Sequence, residues 1–143
     1  MTQKLESIMT KQVSAVRPDQ PIADAANIMH QYDVGAVPVV QNGQCVGIVT
    51  DRDIAIRAVA NGRDGNTPVS NVMTKNVVTA SSQMDVHEAA RLMAQHQIRR
   101  LPVVDNGELN GMVALGDLAV QDIYENEAGD ALSNISVPDN TLS

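Results

Sequence analysis

The heptapeptide SIMTKQV at residues 7–13 recurs as NVMTKNV at residues 71–77. The two central methionines, Met9 and Met73, are 64 positions apart, and this offset aligns two copies between residues 7 and 124 without a gap. A repeat of this kind is typical of a fold built from copies of one supersecondary unit. We therefore predict two similar units in tandem.

The same offset places Asn42-Gly43 on Asn106-Gly107. Each pair lies between apolar runs, and such a pair is the strongest short-range signal for a β-hairpin. A short strand and an amphipathic helix precede each hairpin, and a second helix follows it, so the predicted order is β-α-β-β-α, twice. The predicted hairpin strands are residues 36–40 and 44–50 in the first copy, and residues 100–104 and 108–114 in the second.

The helix before each hairpin has recognisable start signals. In the first copy Asp19 is placed to cap this helix, with Pro21 in its first turn. In the second copy Ser82 and Asp85 have the spacing of a capping box. Apolar residues at helical spacing predict the inward faces. These residues are Ile22, Ala25, Ala26 and Met29 in the first copy, and Val86, Ala89, Ala90 and Met93 in the second.

The repeat divides the chain into four parts. We predict a first repeat at residues 1–62, a linker at 63–70, a second repeat at 71–125 and a loosely ordered acidic tail at 126–143. One unit of this size cannot bury the apolar face of its sheet alone. The predicted fold class is therefore α/β, of the α+β kind, with the two repeats packed sheet to sheet about a pseudo-twofold axis.

The composition argues against several classes of function. The formal net charge is −7, and residues 118–143 contain no Lys or Arg, so the basic footprint of a nucleic-acid-binding protein is missing. No apolar stretch is long enough to span a membrane, and the single Cys45 fits a reducing compartment, so we predict a cytoplasmic protein. The three histidines have no partners at metal-ligand spacing, and no phosphate-binding glycine loop or nucleophile motif occurs. We predict neither metal ligands nor catalytic residues, and hence no enzyme.

Four motifs carry a resemblance to a known family. They are GAVPVV at residues 35–40, GIVTDRD at 47–53, RRLPVVD at 99–105 and GMVALGD at 111–117. In this order they resemble a pair of CBS (cystathionine-β-synthase-type) domains, as in small stand-alone bacterial CBS-pair proteins. The resemblance implies a regulatory homodimer that acts on an unidentified protein. It further implies clefts between the repeats that hold a noncovalent adenosine ligand: AMP, ADP, ATP, an NAD-type dinucleotide or S-adenosylmethionine.

The resemblance assigns ligand contacts to Thr50 and Asp53, where a hairpin strand meets the next helix. A helix N-terminus favours phosphate, and a carboxylate one turn into the helix can accept hydrogen bonds from both hydroxyls of a ribose. The same Thr-x-x-Asp spacing is close to a capping box, which needs no ligand. In the second copy Asp117 keeps the carboxylate while Ala114 replaces the threonine, which weakens the capping explanation. Both explanations stay open.

The segments before the two equivalent prolines differ. In the first copy the segment 35–38 is small and apolar, which suits either a purine ring lying on the backbone or a buried strand. In the second copy Arg99 and Arg100 offer guanidinium groups for phosphate, or form a solvated pair. For a single site we favour Asp117 with Arg99 or Arg100. The full set of predicted ligand-binding residues is Val13, Gly35, Ala36, Val37, Pro38, Thr50, Asp53, Val77, Arg99, Arg100, Leu101, Pro102, Ala114 and Asp117.

A second class of function is also compatible with the sequence. With empty clefts, the chain would be a constitutive dimeric module that docks another protein. The nearly balanced charge before residue 118 and the acidic tail after it fit this alternative. Titration with adenine nucleotides separates the two hypotheses.

Overall fold

Both Asn-Gly pairs form the predicted tight turns in a computed structural model, which describes residues 3–119. Asn42 and Gly43 have φ angles of 54° and 80°, and Asn106 and Gly107 have 55° and 83°. Positive φ at both central residues defines the hairpin turn whose twist matches that of the flanking strands. The strands that these turns join are β1 (Ala36–Gln41) with β2 (Gln44–Thr50), and β3 (Arg100–Asp105) with β4 (Glu108–Ala114).

The strands form a four-stranded antiparallel sheet in the order β1-β2-β4-β3. In the first hairpin Ala36 pairs with Thr50, and the register shifts between Val39 and Val40. The strand predicted before each helix is reduced to a single bridge, in which Val16 pairs with Val39 and Ala80 pairs with Val103. The mixed α/β class with two tandem copies of one unit is thereby confirmed.

Within residues 3–119, four α-helices accompany the sheet. They are α1 (Ile22–Tyr32), α2 (Asp51–Asp53), α3 (Val86–His96) and α4 (Leu115–Ala119). The single turn of α2 continues as a π-helix over Ile54–Ala58 and a 3-10 turn over Val59–Asn61. No helix within residues 3–119 is long and apolar enough to cross a membrane. The tail predicted at 126–143 and the last part of the final predicted helix lie outside the described residues.

The helix caps differ from the sequence-based prediction. Asp19 does not cap α1, because this helix begins after Pro21 and has no side-chain cap. Its first two amides instead donate to the backbone carbonyls of Thr67 (2.8 Å) and Gly65 (3.1 Å). The predicted Ser82–Asp85 box is also wrong, since Asp85 is itself the cap of α3 and accepts a hydrogen bond from the backbone N–H of His87 at 2.7 Å. A distant backbone segment thus satisfies donors that a side chain was expected to satisfy.

The described residues form two compact units, each with its own apolar core. Unit 1 comprises residues 3–12, 78–105 and 110–119, and unit 2 comprises residues 13–77 and 106–109. Ala26 was predicted to face inward but is exposed, so the fully buried stripe of α1 is confined to Ile22 and Ala25. The cores contain equivalent residues of the two copies: Ile22, Ala25, Val37, Val39 and Val49 in unit 2, and Val86, Ala89, Leu101, Val103 and Val113 in unit 1.

The Met-Thr segment of each copy pairs with the hairpin of the other copy. In unit 1, Thr10 exchanges two backbone hydrogen bonds with Met112, at 2.8 and 2.9 Å. In unit 2, Thr74 does the same with Ile48, at 2.8 and 3.0 Å. The approach needs a strand residue without a side chain, because a Cβ on Gly47 would lie 2.7 Å from the carbonyl oxygen of Thr74. The compact units therefore do not coincide with the sequence repeats. The Met-Thr segment of the first copy belongs to unit 1, and the Met-Thr segment of the second copy belongs to unit 2.

Candidate functional site

The junction of β2 and α2 in unit 2 holds a reciprocal capping box. The Thr50 hydroxyl oxygen accepts a hydrogen bond from the backbone N–H of Asp53 at 3.0 Å. In return, Oδ2 of Asp53 accepts from the backbone N–H of Thr50, also at 3.0 Å. Asp53 is only 8% exposed and is the one buried charged residue within residues 3–119. The capping explanation of this motif is therefore realised, and the box fixes the carboxylate at the end of the strand.

Two further side chains reach the same carboxylate. The hydroxyl of Thr74 donates to Asp53, with distances of 3.2 and 3.4 Å to the two carboxylate oxygens. Arg57 Nε lies 3.8 Å from Oδ1 of Asp53. Arg57 Nη1 also donates to the backbone carbonyls of Val72 (3.3 Å) and Met73 (3.1 Å). Asp53 thus connects the start of α2 to the Met-Thr segment of the second copy through hydrogen bonds.

Gly35 and Ala36 lie directly beside this junction. Ala36 pairs with Thr50 across the hairpin, and the carbonyl of Gly35 accepts a hydrogen bond from the backbone N–H of Asp51 at 2.9 Å. A Cβ on Gly35 would lie 3.2 Å from Oδ2 of Asp51, so the exposed carboxylate of Asp51 faces the glycine. The structure therefore brings together four of the predicted residues: Gly35, Ala36, Thr50 and Asp53.

The other predicted residues of unit 2 are placed differently. The side chain of Val37 is fully buried in the core, and Pro38 is buried too, with its carbonyl accepting from the backbone N–H of Val16 at 3.0 Å. Only the backbone of this buried stretch is suited to a ligand contact. Val13 and Val77 are half-buried in the same unit.

Unit 1 repeats the junction with different side chains. The Oδ2 of Asp117 accepts from the backbone N–H of Ala114 at 3.0 Å, which is half of the capping box. The carbonyl of Arg99 accepts from the backbone N–H of Leu115 at 2.8 Å, as Gly35 does from Asp51. Arg99 is exposed and Arg100 is half-buried, whereas the side chains of Leu101 and Pro102 are buried. The predicted combination of Asp117 with Arg99 thus falls on two segments that are hydrogen-bonded to each other.

Two residues that contact the unit 2 junction were not predicted from the sequence. Thr74 reaches Asp53 across 21 positions of the chain, and Asp51 faces Gly35 through the hairpin. Neither contact has a signal in the linear spacing, because each depends on which strand edge the partner segment joins. Within residues 3–119 there is no group of three or more His, Cys, Asp or Glu residues that could hold a metal ion. The two junctions present carboxylates, guanidinium groups and backbone amides and carbonyls, all of which can form hydrogen bonds with a ligand.

Comparisons with known proteins agree on one family. A family model described as CBS domain matches residues 5–59 and again residues 69–121. The CBS domain-containing protein YhcV of Bacillus subtilis (strain 168) is 54% identical over 132 residues, which are 92% of this chain and 94% of that protein. The inosine-5′-monophosphate dehydrogenase of Methanocaldococcus jannaschii is 35% identical over 136 residues, but these span only 26% of that enzyme.

A solved structure adds a ligand complex to the comparison. The CBS domain pair of protein MJ0100, in complex with 5′-methylthioadenosine and S-adenosyl-L-methionine, matches with a TM-score of 0.75 at 26% sequence identity. The match covers 89% of this chain and 99% of the other chain. The likeness therefore extends over most of this chain.

Proposed function

This chain belongs to the CBS domain family, and on that premise we propose that it is a regulatory module that binds an adenosine-containing ligand. The ligand classes are AMP, ADP or ATP, an NAD-type dinucleotide, or S-adenosylmethionine. The observation that carries the proposal is the carboxylate of Asp53, which the capping box holds against the backbone of Thr50, the strand partner of Ala36. The related pair in complex with 5′-methylthioadenosine and S-adenosyl-L-methionine supports the same class of ligand.

The chemistry of the junction suits a nucleoside. A carboxylate accepts hydrogen bonds from the two hydroxyls of a ribose, and the Gly35-Ala36 backbone lets a flat purine approach closely. Because the backbone N–H of Thr50 and the hydroxyl of Thr74 already hold the carboxylate of Asp53, this side chain does not need to be ordered when the ligand binds. The ribose hydroxyls would compete with the Thr74 hydroxyl for the same oxygens. In unit 1 Asp117 takes the role of Asp53, with Arg99 and Arg100 in place of the small residues.

We propose that this module binds its adenosine-containing ligand without catalysing a reaction. A regulatory ligand acts through its different affinities for two states of the protein, so no bond needs to be made or broken. The regulated partner in this proposal is another protein, and the module itself is a homodimer with repeats at residues 1–62 and 71–125. The proposed ligand contacts comprise side chains and backbone of both junctions. In unit 2 they are Gly35, Ala36, Thr50 and Asp53, and in unit 1 they are Arg99, Arg100, Ala114 and Asp117. The backbone of Val37, Pro38, Leu101 and Pro102 and the side chains of Val13 and Val77 complete the set.

The test is thermal unfolding with a panel of AMP, ATP, NAD and S-adenosylmethionine. A ligand at about a hundred times its Kd should stabilise the protein by about 2.7 kcal/mol, which shifts Tm by several degrees. We expect Asp53→Asn to remove the Tm shift of a ligand that binds at the unit 2 junction, and Asp117→Asn to remove that of a ligand that binds at the unit 1 junction. In each case the variant loses the charged acceptor of the ribose hydroxyls. Asp33→Asn is the matched control, because Asp33 is an exposed carboxylate in a left-handed conformation that asparagine also adopts.

A second candidate function is favoured by exposed apolar side chains in unit 2. Tyr32 is 55% exposed, Ile56 is 54% exposed and Val59 is 66% exposed. Such side chains suit a constitutive protein-interaction module. If no member of the panel shifts Tm at millimolar concentration, the nucleotide proposal fails and this second function takes its place.

A further inference from the structure

The two junctions carry opposite net charge at equivalent positions. Over the five aligned positions, the formal charge is −1 in unit 2 and +1 in unit 1. The aligned pairs, unit 2 first, are Gly35 and Arg99, Ala36 and Arg100, Asp51 and Leu115, Arg52 and Gly116, and Asp53 and Asp117. An identical ligand would therefore meet a different electrostatic environment in each unit.

The difference in unit 2 centres on Asp51. Its carboxylate faces Gly35, with Oδ2 at 3.2 Å and Oδ1 at 3.7 Å from the position of a glycine Cβ. The carboxylate is held there because Oδ1 accepts a hydrogen bond from the backbone N–H of Arg52 at 2.8 Å. Ion pairs join Arg17 to Asp19 and Arg57 to Asp53, and within residues 3–119 no ion pair of Asp51 is observed.

Arg57, which contacts Asp53 at the unit 2 junction, is already engaged. The guanidinium group of Arg57 contacts Asp53 and donates to the carbonyls of Val72 and Met73. To hold a phosphate it would have to leave these acceptors. Asp51 therefore presents a fixed negative charge beside Gly35, since Arg57 is bound to other acceptors and neither observed ion pair joins Asp51 to Arg52.

Unit 1 has no carboxylate at the equivalent position. Leu115 replaces Asp51, is 3% exposed and packs in the unit 1 core. Its backbone N–H holds the carbonyl of Arg99, which places an exposed guanidinium-bearing residue where unit 2 has Gly35. Arginine at this place favours a phosphate through charge-assisted hydrogen bonds.

We propose that Asp51 makes the unit 2 junction selective for adenosine compounds without phosphate, whereas unit 1 takes the phosphorylated ones. This inference rests on the proposed function, because it assumes that the ligand's purine lies on Gly35 and Ala36. The preferred class for unit 2 is an uncharged nucleoside or a cationic sulfonium compound. For each negative charge, a phosphate about 6 Å from Asp51 would be disfavoured by about threefold at the dielectric constant of water and by about a hundredfold at the effective value near a protein surface.

The experiment measures the Kd of adenosine, AMP and S-adenosylmethionine by isothermal titration calorimetry. It uses the full chain carrying Asp117→Asn, so that unit 1 lacks its charged ribose acceptor. The comparison adds Asp51→Asn, which keeps the size and an acceptor for the Arg52 amide but removes the charge. Asp33→Asn, added to the same background, is the matched control for an equal change of net charge at a distant exposed position.

We expect Asp51→Asn to strengthen AMP binding at least about tenfold, because the phosphate of AMP carries nearly two negative charges. Adenosine binding should be unchanged, and S-adenosylmethionine binding should weaken. The gain for AMP should shrink in 0.5 M salt, since exposed charges are screened over a few ångströms there. If adenosine compounds bind but the ratio of AMP to adenosine affinity is unaltered, or changes equally with Asp33→Asn, the selectivity proposal is overturned and the proposed function stands. If no compound binds the unsubstituted protein, the proposed function itself fails.

Discussion

Replacing Gly47 by alanine tests whether the close approach of the Met-Thr segment holds unit 2 together. Gly47 lies in β2 and is buried. An added Cβ would lie 2.7 Å from the backbone oxygen of Thr74 and 3.1 Å from Sδ of Met73. The sulfur can move, but the oxygen accepts the hydrogen bond from the Ile48 amide at 3.0 Å. The Met-Thr segment must therefore move away from β2, which lengthens the backbone hydrogen bonds between Thr74 and Ile48.

The expected cost has two parts. Forcing an extra methyl group into a packed site costs roughly 1–3 kcal/mol. Weakening the two backbone hydrogen bonds between Ile48 and Thr74 adds roughly 0.5–1.5 kcal/mol for each. The free energy of unfolding of Gly47→Ala should therefore fall by about 2–6 kcal/mol. For a chain of this size, such a loss lowers Tm by roughly 6 to 24 °C.

Urea unfolding followed by circular dichroism measures this loss. Gly111→Ala should behave alike, because a Cβ there would lie 2.7 Å from the carbonyl oxygen of Thr10. Gly116→Ala is the matched control, since a Cβ on this residue of α4 meets nothing within 4 Å. Alanine is the better helix former, so this variant should be neutral or more stable by up to about 1 kcal/mol. A loss below about 1 kcal/mol for Gly47→Ala, or one no larger than that of the control, would refute the steric argument.

Three further outcomes can be measured on the same protein. Hydrogen bonds from the hydroxyl and amide of Ser82 lower the pKa of Asp105, so its contribution to stability is present above the ordinary carboxyl pKa and lost as pH falls through the lowered value. Urea titrations should show Asp105→Asn less stable than the parent at pH 7, with the gap closing in acid; a gap that widens in acid would contradict this sign. Burial raises the pKa of the Cys45 thiol, so alkylation by iodoacetamide at pH 7 should be slower than for a free cysteine, and an equal rate would contradict it. Arg57→Gln should speed hydrogen exchange at the Thr74 amide by several-fold, because it releases the carbonyls next to this residue; an unchanged rate would show that the arginine does not hold the segment.

Local patterns accounted for the hairpins and for the spacing of the junctions. The predicted strands at residues 44–50 and 108–114 coincide with β2 and β4, since an Asn-Gly turn fixes both the turn type and the start of the next strand. The Thr50-x-x-Asp53 spacing similarly indicated a capping box, which is present. These features depend on neighbours within four residues, so the order of residues alone carries them.

Contacts between distant segments could not be read from the same patterns. The donors at the start of α1 are satisfied by carbonyls of Thr67 and Gly65, so the predicted cap at Asp19 was unnecessary and did not form. The carboxylate of Asp53 was expected to be a cap or a ribose acceptor, and its contact with Thr74, 21 positions away, had no sequence signal. The roles of the predicted ligand-binding residues stay predictions until the titrations described above are made.

The order of residues alone predicts two copies of one unit, the position of each hairpin turn and an aspartate at each junction. The pairing of the Met-Thr segment of one copy with the hairpin of the other is visible only in the fold. Backbone pairing uses groups that every residue has, so the order of residues does not state which strand edge a segment will join. Gly47 and Gly111 permit the approach, but their role becomes visible only when the oxygens of Thr74 and Thr10 are seen against them.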